Sequence, residues 1–267
     1  MSESEEQPKF GDVRKYVPFL AKHEGLANLL EKALGYQTIR RVFCDAQHDE
    51  NPPRGVLNRL GISTHFMGAV SKIPKSGRLV VVANHSHGGA DAMALMAFLS
   101  ELRDDLKILA NREVLLLEAA APYAIPVSVL QTDQTAGNSA GLRVMLKHIK
   151  KGGTLGLFPA GRVSTWQQDR MRDLPWSEHM VKLIQRMDTT VVPLWFFGKP
   201  PAGIRLLSCV STFVKAALIP TGFTMMRGEE VRGRFGEPFH SSKLREFGDE
   251  AGVWLRGRVE SLADLGN

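Results

Sequence analysis

The sequence predicts an α/β fold: a mixed, largely parallel sheet flanked by helices, with an N-terminal helical segment. Three observations predict it. From Gly77 onward, short β-branched runs alternate with longer amphipathic stretches, the rhythm of an α/β sheet domain. Each apolar run leads into polar or glycine-rich sequence, as strand ends in such folds do. Before residue 47, apolar positions instead recur at helical spacing.

Residues 1–12 form a polar leader, acidic over its first seven residues and expected to be disordered. Residues 13–60 make the helical segment, with Val17, Leu20, Leu26, Leu29, Leu30 and Leu34 on its apolar positions and a break at Gly35. Asn51-Pro52-Pro53-Arg54-Gly55 is turn chemistry and marks the boundary to a domain over 61–267. There the apolar run 79–83 reads as a buried strand, followed by a helix over 91–102 and a strand over 106–110. A helix over 141–150, a strand over 154–158, a helix over 177–187 and a strand over 190–194 continue the alternation. Residues 231–235 add a last strand. Residues 244–265 read as one closing amphipathic helix, with Val253, Leu255, Val259 and Leu262 on its apolar side.

Composition narrows the function classes. The 267 residues are 43% hydrophobic and 23% charged, enough for one large domain with a small extension. A net charge of +6 favours an acidic partner, whether nucleic acid, an anionic membrane surface or a phosphorylated co-substrate. With 7% aromatics and no recognised binding motif, nucleic acid is set aside. The acidic N-terminus lacks the basic flank and apolar run of a signal peptide. Charged residues or prolines interrupt every window long enough for a transmembrane helix, so membrane contact is expected to be peripheral. Cys44 and Cys209 have no metal-ligand or redox spacing, and read as buried or incidental thiols.

The sharpest chemistry lies in Val82-Ala83-Asn84-His85-Ser86-His87-Gly88-Gly89-Ala90-Asp91, where a buried strand meets a glycine loop and then a helix. A histidine here can accept a proton near neutral pH. A carboxylate a short loop away can hold its tautomer and stabilise the cation. Gly88 and Gly89 let the loop turn Asp91 back toward His85, although Asp91 also suits a plain helix N-terminus. His87 reads either as an assisting group or as a polar loop residue, the second being favoured. His85-x-His87 with Asp91 resembles a metal cluster, yet the dinuclear hydrolase spacing is absent and no further His-rich group completes a shell, so no metal is expected.

These residues resemble the glycerolipid acyltransferase family related to 1-acylglycerol-3-phosphate acyltransferase. Asn84-His85 with Asp91 matches its first motif, with five residues between His and Asp where the common form has four. The longer spacing and the glycine pair are similar to the hemolysin-like bacterial branch that includes ornithine-lipid acyltransferases, a branch that has proline where Ser86 stands. Ile108-Leu109-Ala110-Asn111-Arg112, with Ile125-Pro126-Val127, resembles the second motif. Phe158-Pro159-Ala160-Gly161-Arg162-Val163-Ser164 resembles the third, and Val191-Val192-Pro193-Leu194 the fourth.

The resemblance implies acyl transfer from acyl-CoA or acyl carrier protein to a lyso-lipid hydroxyl, with no resident cofactor, His85 as general base and Asp91 as its partner. It assigns substrate contacts to Asn84, Gly88, Gly89, Arg112, Phe158, Pro159, Gly161 and Arg162, with backbone N–H groups at Gly88, Gly89 or Gly161 as oxyanion donors. The common third motif has glutamate where Ala160 stands and its arginine one place later than Arg162. That departure favours a lyso-aminolipid over a glycerol 3-phosphate-type acceptor. The alternatives are a lysophosphatidate acyltransferase proper and a catalytically silent lipid-binding member of the fold, with a metal-dependent hydrolase behind them. A lipid acceptor requires a surface at the cytoplasmic face of a membrane. Residues 210–220, with Phe213, Val214, Leu218 and Ile219 beside Lys215, are the expected patch. Arg143, Lys147, Lys150 and Lys151 suit anionic lipid or the phosphates of CoA, and equally a solvated helix face.

Overall fold

The computed structural model describes residues 14, 18–127, 135–167, 170–198, 202 and 219–264. The acidic leader, Cys209 and all but the last two residues of the 210–220 patch lie outside the described residues. Three helices come first: Glu24–Ala33 (α1), Tyr36–Ala46 (α2) and Pro52–Leu60 (α3). Gly35 separates the first two as expected, with φ of 82°. Asn51, expected in a turn, caps α3 by accepting from the Arg54 N–H at 3.0 Å, and the prolines sit at the first helical positions where their missing N–H costs nothing.

The strands follow in the order Ser63–Gly68 (β1), Leu79–Ala83 (β2), Leu106–Asn111 (β3), Ala124–Val127 (β4), Thr154–Leu157 (β5), Thr165–Gln167 (β6), Arg170–Arg172 (β7), Thr190–Phe197 (β8), Glu230–Phe235 (β9) and Phe239–His240 (β10). Between them stand Gly89–Ser100 (α4), Thr135–Lys150 (α5), Glu178–Arg186 (α6) and Ile219–Met225 (α7), and Ala251–Glu260 (α8) closes the fold. One sheet runs β1-β9-β8-β2-β5-β3-β4, with β10 added on β8, and β6 with β7 form a separate hairpin. The pairs from β8 through β2, β5 and β3 to β4 are all parallel, whereas β9 and β10 run antiparallel to β8. The sheet is therefore mixed and largely parallel.

Burial follows the alternation of strand side chains. Leu79, Val81 and Ala83 face a core shared with α2, α3 and α4, while Val80 and Val82 face a second core shared with α5, α6 and α8. Phe43, Val56 and Leu57 belong to the first core, so α2 and α3 pack directly into the sheet domain. Pro193 is accommodated within β8 because β10 pairs only as far as Val191 and β9 begins at Leu194. The proline falls in the gap and accepts there from the Gly236 N–H at 2.8 Å.

Two expectations are corrected. The closing helix is shorter than the 244–265 run, because Gly248 has φ of 49° and ψ of −123°, which divides 3-10 structure over Ser241–Glu250 from α8. Leu255, Val259 and Leu262 are buried, but Val253 is 69% exposed. Cys44 is an exposed free thiol. No helix of the described residues is long and apolar enough to cross a membrane.

Candidate active site

The parallel strands all end at one edge of the sheet, and the predicted site residues gather along it. β2 stops at Ala83 because the Asn84 side chain takes over the ladder: its Oδ1 accepts from the Phe196 N–H at 2.6 Å and its Nδ2 donates to the Phe196 carbonyl at 3.0 Å. Ser86, where the resemblance expects proline, completes this brace by accepting from Asn84 Nδ2 at 2.7 Å. Asn84 and Ser86 are both buried, so the Asn84 amide is engaged within the protein.

Gly88 turns the chain with φ of 66° and ψ of −131°, a conformation that needs glycine, and precedes the first residue of α4. This brings Asp91, in the first turn of α4 and fully buried, under the two imidazoles. Its Oδ2 lies 3.2 Å from His85 Nδ1 and accepts the His87 backbone N–H at 2.7 Å; its Oδ1 lies 2.8 Å from His87 Nδ1. Burial alone pushes the Asp91 carboxyl up. The attraction of His87 and the hydrogen bonds from His85 and His87 outweigh it and hold the group below the usual carboxylate value. An ionised carboxylate only accepts, so each Nδ1 carries its proton. That leaves His85 Nε2 as the acceptor on a ring whose side chain is 16% exposed. Phe158, at the end of β5, stacks on that ring with centroids 4.2 Å apart.

The sequence carries a match to the family model described as Acyltransferase over residues 68–197. It is 28% identical over 132 residues to a lyso-glycine lipid O-acyltransferase of Phocaeicola vulgatus, covering 49% of this chain and 46% of that one. A protein of the same name from Bacteroides thetaiotaomicron is 28% identical over 131 residues, covering 49% and 47%. The matched region thus spans a little under half the length of these relatives. The crystal structure of the 1-acyl-sn-glycerophosphate acyltransferase of Thermotoga maritima shares the fold, with a TM-score of 0.52, 18% identity and 96% of both chains covered. Residues 68–197 thus match an acyltransferase family, in line with the two lipid O-acyltransferases they resemble.

The acyltransferase motifs fall where strand ends meet. Phe158 and Pro159 follow β5, the neighbour of β2, and Arg112 follows β3 one strand further along, exposed on the same edge. Gly161 and Arg162 are exposed on the loop beyond Pro159. The Gly161 N–H donates to the Phe158 carbonyl at 2.9 Å and so serves a turn, which removes it from the oxyanion donors. Gly89 opens α4, where helix N–H groups have no intrahelical partner, and keeps that assignment open. Ala160 packs against the second core instead of presenting a polar group to the edge.

Sequence reasoning underrated one group and missed another. His87, read as an assisting group or, by preference, a polar loop residue, lies in the loop but is buried and bonded to Asp91, and its i,i+4 spacing to Asp91 was the available signal. Asp173 is buried and accepts from the His85 backbone N–H at 3.2 Å, across a separation of 88 residues that no local pattern marks.

Proposed function

We propose that this chain moves a fatty acyl group from an acyl thioester, carried by CoA or acyl carrier protein, to the hydroxyl of a lyso-lipid. The observation that carries the reading is the 3.2 Å approach of His85 Nδ1 to the buried Asp91 carboxylate, on a ring that is itself partly exposed. His85 Nε2 takes the proton from the acceptor hydroxyl as its oxygen attacks the thioester carbonyl, and Asp91 stabilises the imidazolium. The tetrahedral intermediate collapses by breaking the C–S bond, and the thiolate recovers the proton from His85. No covalent acyl-enzyme and no resident cofactor enter the sequence.

A lyso-aminolipid is the acceptor favoured here. The relatives named lyso-glycine lipid O-acyltransferases support it, as does Ala160 in place of the glutamate of the common motif. Arg112 and Arg162, exposed along the edge, suit the anionic groups of acceptor or donor. The chain works peripherally at the cytoplasmic face of a membrane. Phe19, Leu26 and Leu29 support this, being 65%, 49% and 64% exposed at and before α1, a stripe that a lipid surface would cover.

Lipid profiling of cells with and without the protein tests the reading. The expected result is consumption of one lyso-lipid and appearance of its acylated product, lost in a His85→Ala variant. Unchanged profiles across all lipid classes would overturn it. A variant that loses turnover but keeps vesicle binding separates the enzyme from a silent lipid-binding member of the fold.

A further inference from the structure

We propose that Asp173 is a positioning residue that sets the height of the His85 imidazole by clamping its backbone; this rests on the acyl-transfer reading above. The parallel ladder between β2 and β5 ends at Val82 and Leu157, so the two loops that carry His85 and Phe158 leave the sheet without further strand pairing to each other. A second set of bonds rejoins them. The Ser164 N–H donates to the His85 carbonyl at 2.8 Å, and the His85 N–H donates to Asp173 Oδ1 at 3.2 Å. The Ser164 hydroxyl donates to the same Asp173 oxygen, closing a ring of three residues. Asp173 Oδ2 accepts the Trp176 indole N–H at 2.9 Å, which fixes the carboxylate from its other side.

Asp173 and Ser164 are 8% and 1% exposed, so these bonds to a carboxylate act away from solvent, where charge-assisted bonds are strongest. His85 is thus held at both ends: its ring by Asp91 and its two backbone polar groups by Ser164 and Asp173. Ser164 and Asp173 also bracket the β6–β7 hairpin, which ties the third-motif loop to the general base. A shift of about 1 Å in such a base costs on the order of a hundredfold in rate.

The test uses the full chain with Asp173→Ala, Asp173→Asn and the double variant Asp173→Asn with Trp176→Phe. Asparagine keeps an acceptor for His85 and Ser164 but sets an amide N–H against the indole N–H, and the second substitution removes that conflict. Amide hydrogen exchange at His85 reads the clamp without any substrate, and turnover of palmitoyl-CoA with lyso-glycine lipid reads its consequence. In Asp173→Ala, His85 is expected to exchange about tenfold faster, the loss of one such bond. Its kcat is expected to fall by roughly ten- to a hundredfold with KM little changed. The double variant should recover most of both. Unaltered His85 exchange in a folded Asp173→Ala protein overturns the proposal, as does a kcat equally low in the double variant. Should Asp173→Ala fail to fold, the double variant measured against Asp173→Asn alone carries the same decision. If the parent protein shows no turnover, the acyl-transfer reading fails while exchange still reports on the clamp.

Discussion

His87 gives its backbone N–H to one oxygen of the Asp91 carboxylate at 2.7 Å and its ring Nδ1 to the other at 2.8 Å. His85 therefore shares its carboxylate with a second imidazole that is buried and does not reach the open edge. The pair of bonds fixes the rotation of Asp91, which in turn fixes the plane in which His85 Nδ1 can meet it.

His87→Ala leaves one oxygen of a buried carboxylate without a donor, and is expected to cost about 1–3 kcal/mol of stability as well as turnover. His87→Asn, whose side-chain N–H reaches close to the position of Nδ1, should retain more of both. Denaturant unfolding of the two variants checks this. Equal stability would mean that the ring contributes packing and no hydrogen bond.

Much of the site and sheet was legible in the sequence because it is local. The apolar run of β2, the glycine loop and Asp91 lie within 13 residues; β2 announces itself as a β-branched run buried on both faces, and β5 and the start of β8 as short, largely apolar runs. β1 was not legible: Ser63–Gly68 pairs at the sheet border and has no fully buried residue. β4 was hidden by Pro126 and by its length of four residues. The closing helix misled because Val253 was grouped with Leu255 and Val259 although separations of two and six residues put it on the other side of the helix, and because Gly248 interrupts the helix only through its backbone angles. Asp173 escaped because its partners are a backbone amide, a hydroxyl and an indole drawn from three segments.

Acid should unfold the protein partly through Asp91. Its carboxyl titrates below the ordinary value in the folded state, so its stabilising contribution is complete above about pH 4, the unfolded value, and is lost as pH falls through the lowered one. Unfolding free energies measured across that range should fall less steeply in Asp91→Asn than in the parent protein. Parallel slopes would remove Asp91 from the acid response.

Gly88→Ala places a side chain at φ of 66° and ψ of −131° and is expected to cost about 1–3 kcal/mol. The space around it is open, the nearest atom to an added Cβ being Val163 Cγ2 at 3.7 Å, so the cost is one of backbone angle and not of collision. A melting temperature lowered by several degrees, together with reduced turnover, is the expected result. An unchanged one would mean that the loop takes another path.

The exposed stripe at α1 predicts vesicle binding. Phe19→Ser combined with Leu29→Ser should weaken binding to phosphatidylglycerol vesicles, read by sedimentation, by about a hundredfold or more, at about 1.5–3 kcal/mol for each large apolar side chain fully withdrawn from lipid. Stability should hardly change, since neither side chain is buried. Undiminished sedimentation would move the lipid contact elsewhere.

The Phe223 ring of α7 lies where a Cβ on Gly89 would come within 2.5 Å of it, and that ring meets Phe43 of α2 edge-on at 5.4 Å between centroids. The leading helices consequently form the floor beneath the histidine turn. Trimming the chain to a minimal core by cutting away α1 and α2 would take Phe43 with them, and the backing of Phe223 against the glycine would go slack. Whatever grips the second helix is geared, through two aromatic rings, to the glycine turn that carries Asp91 toward His85.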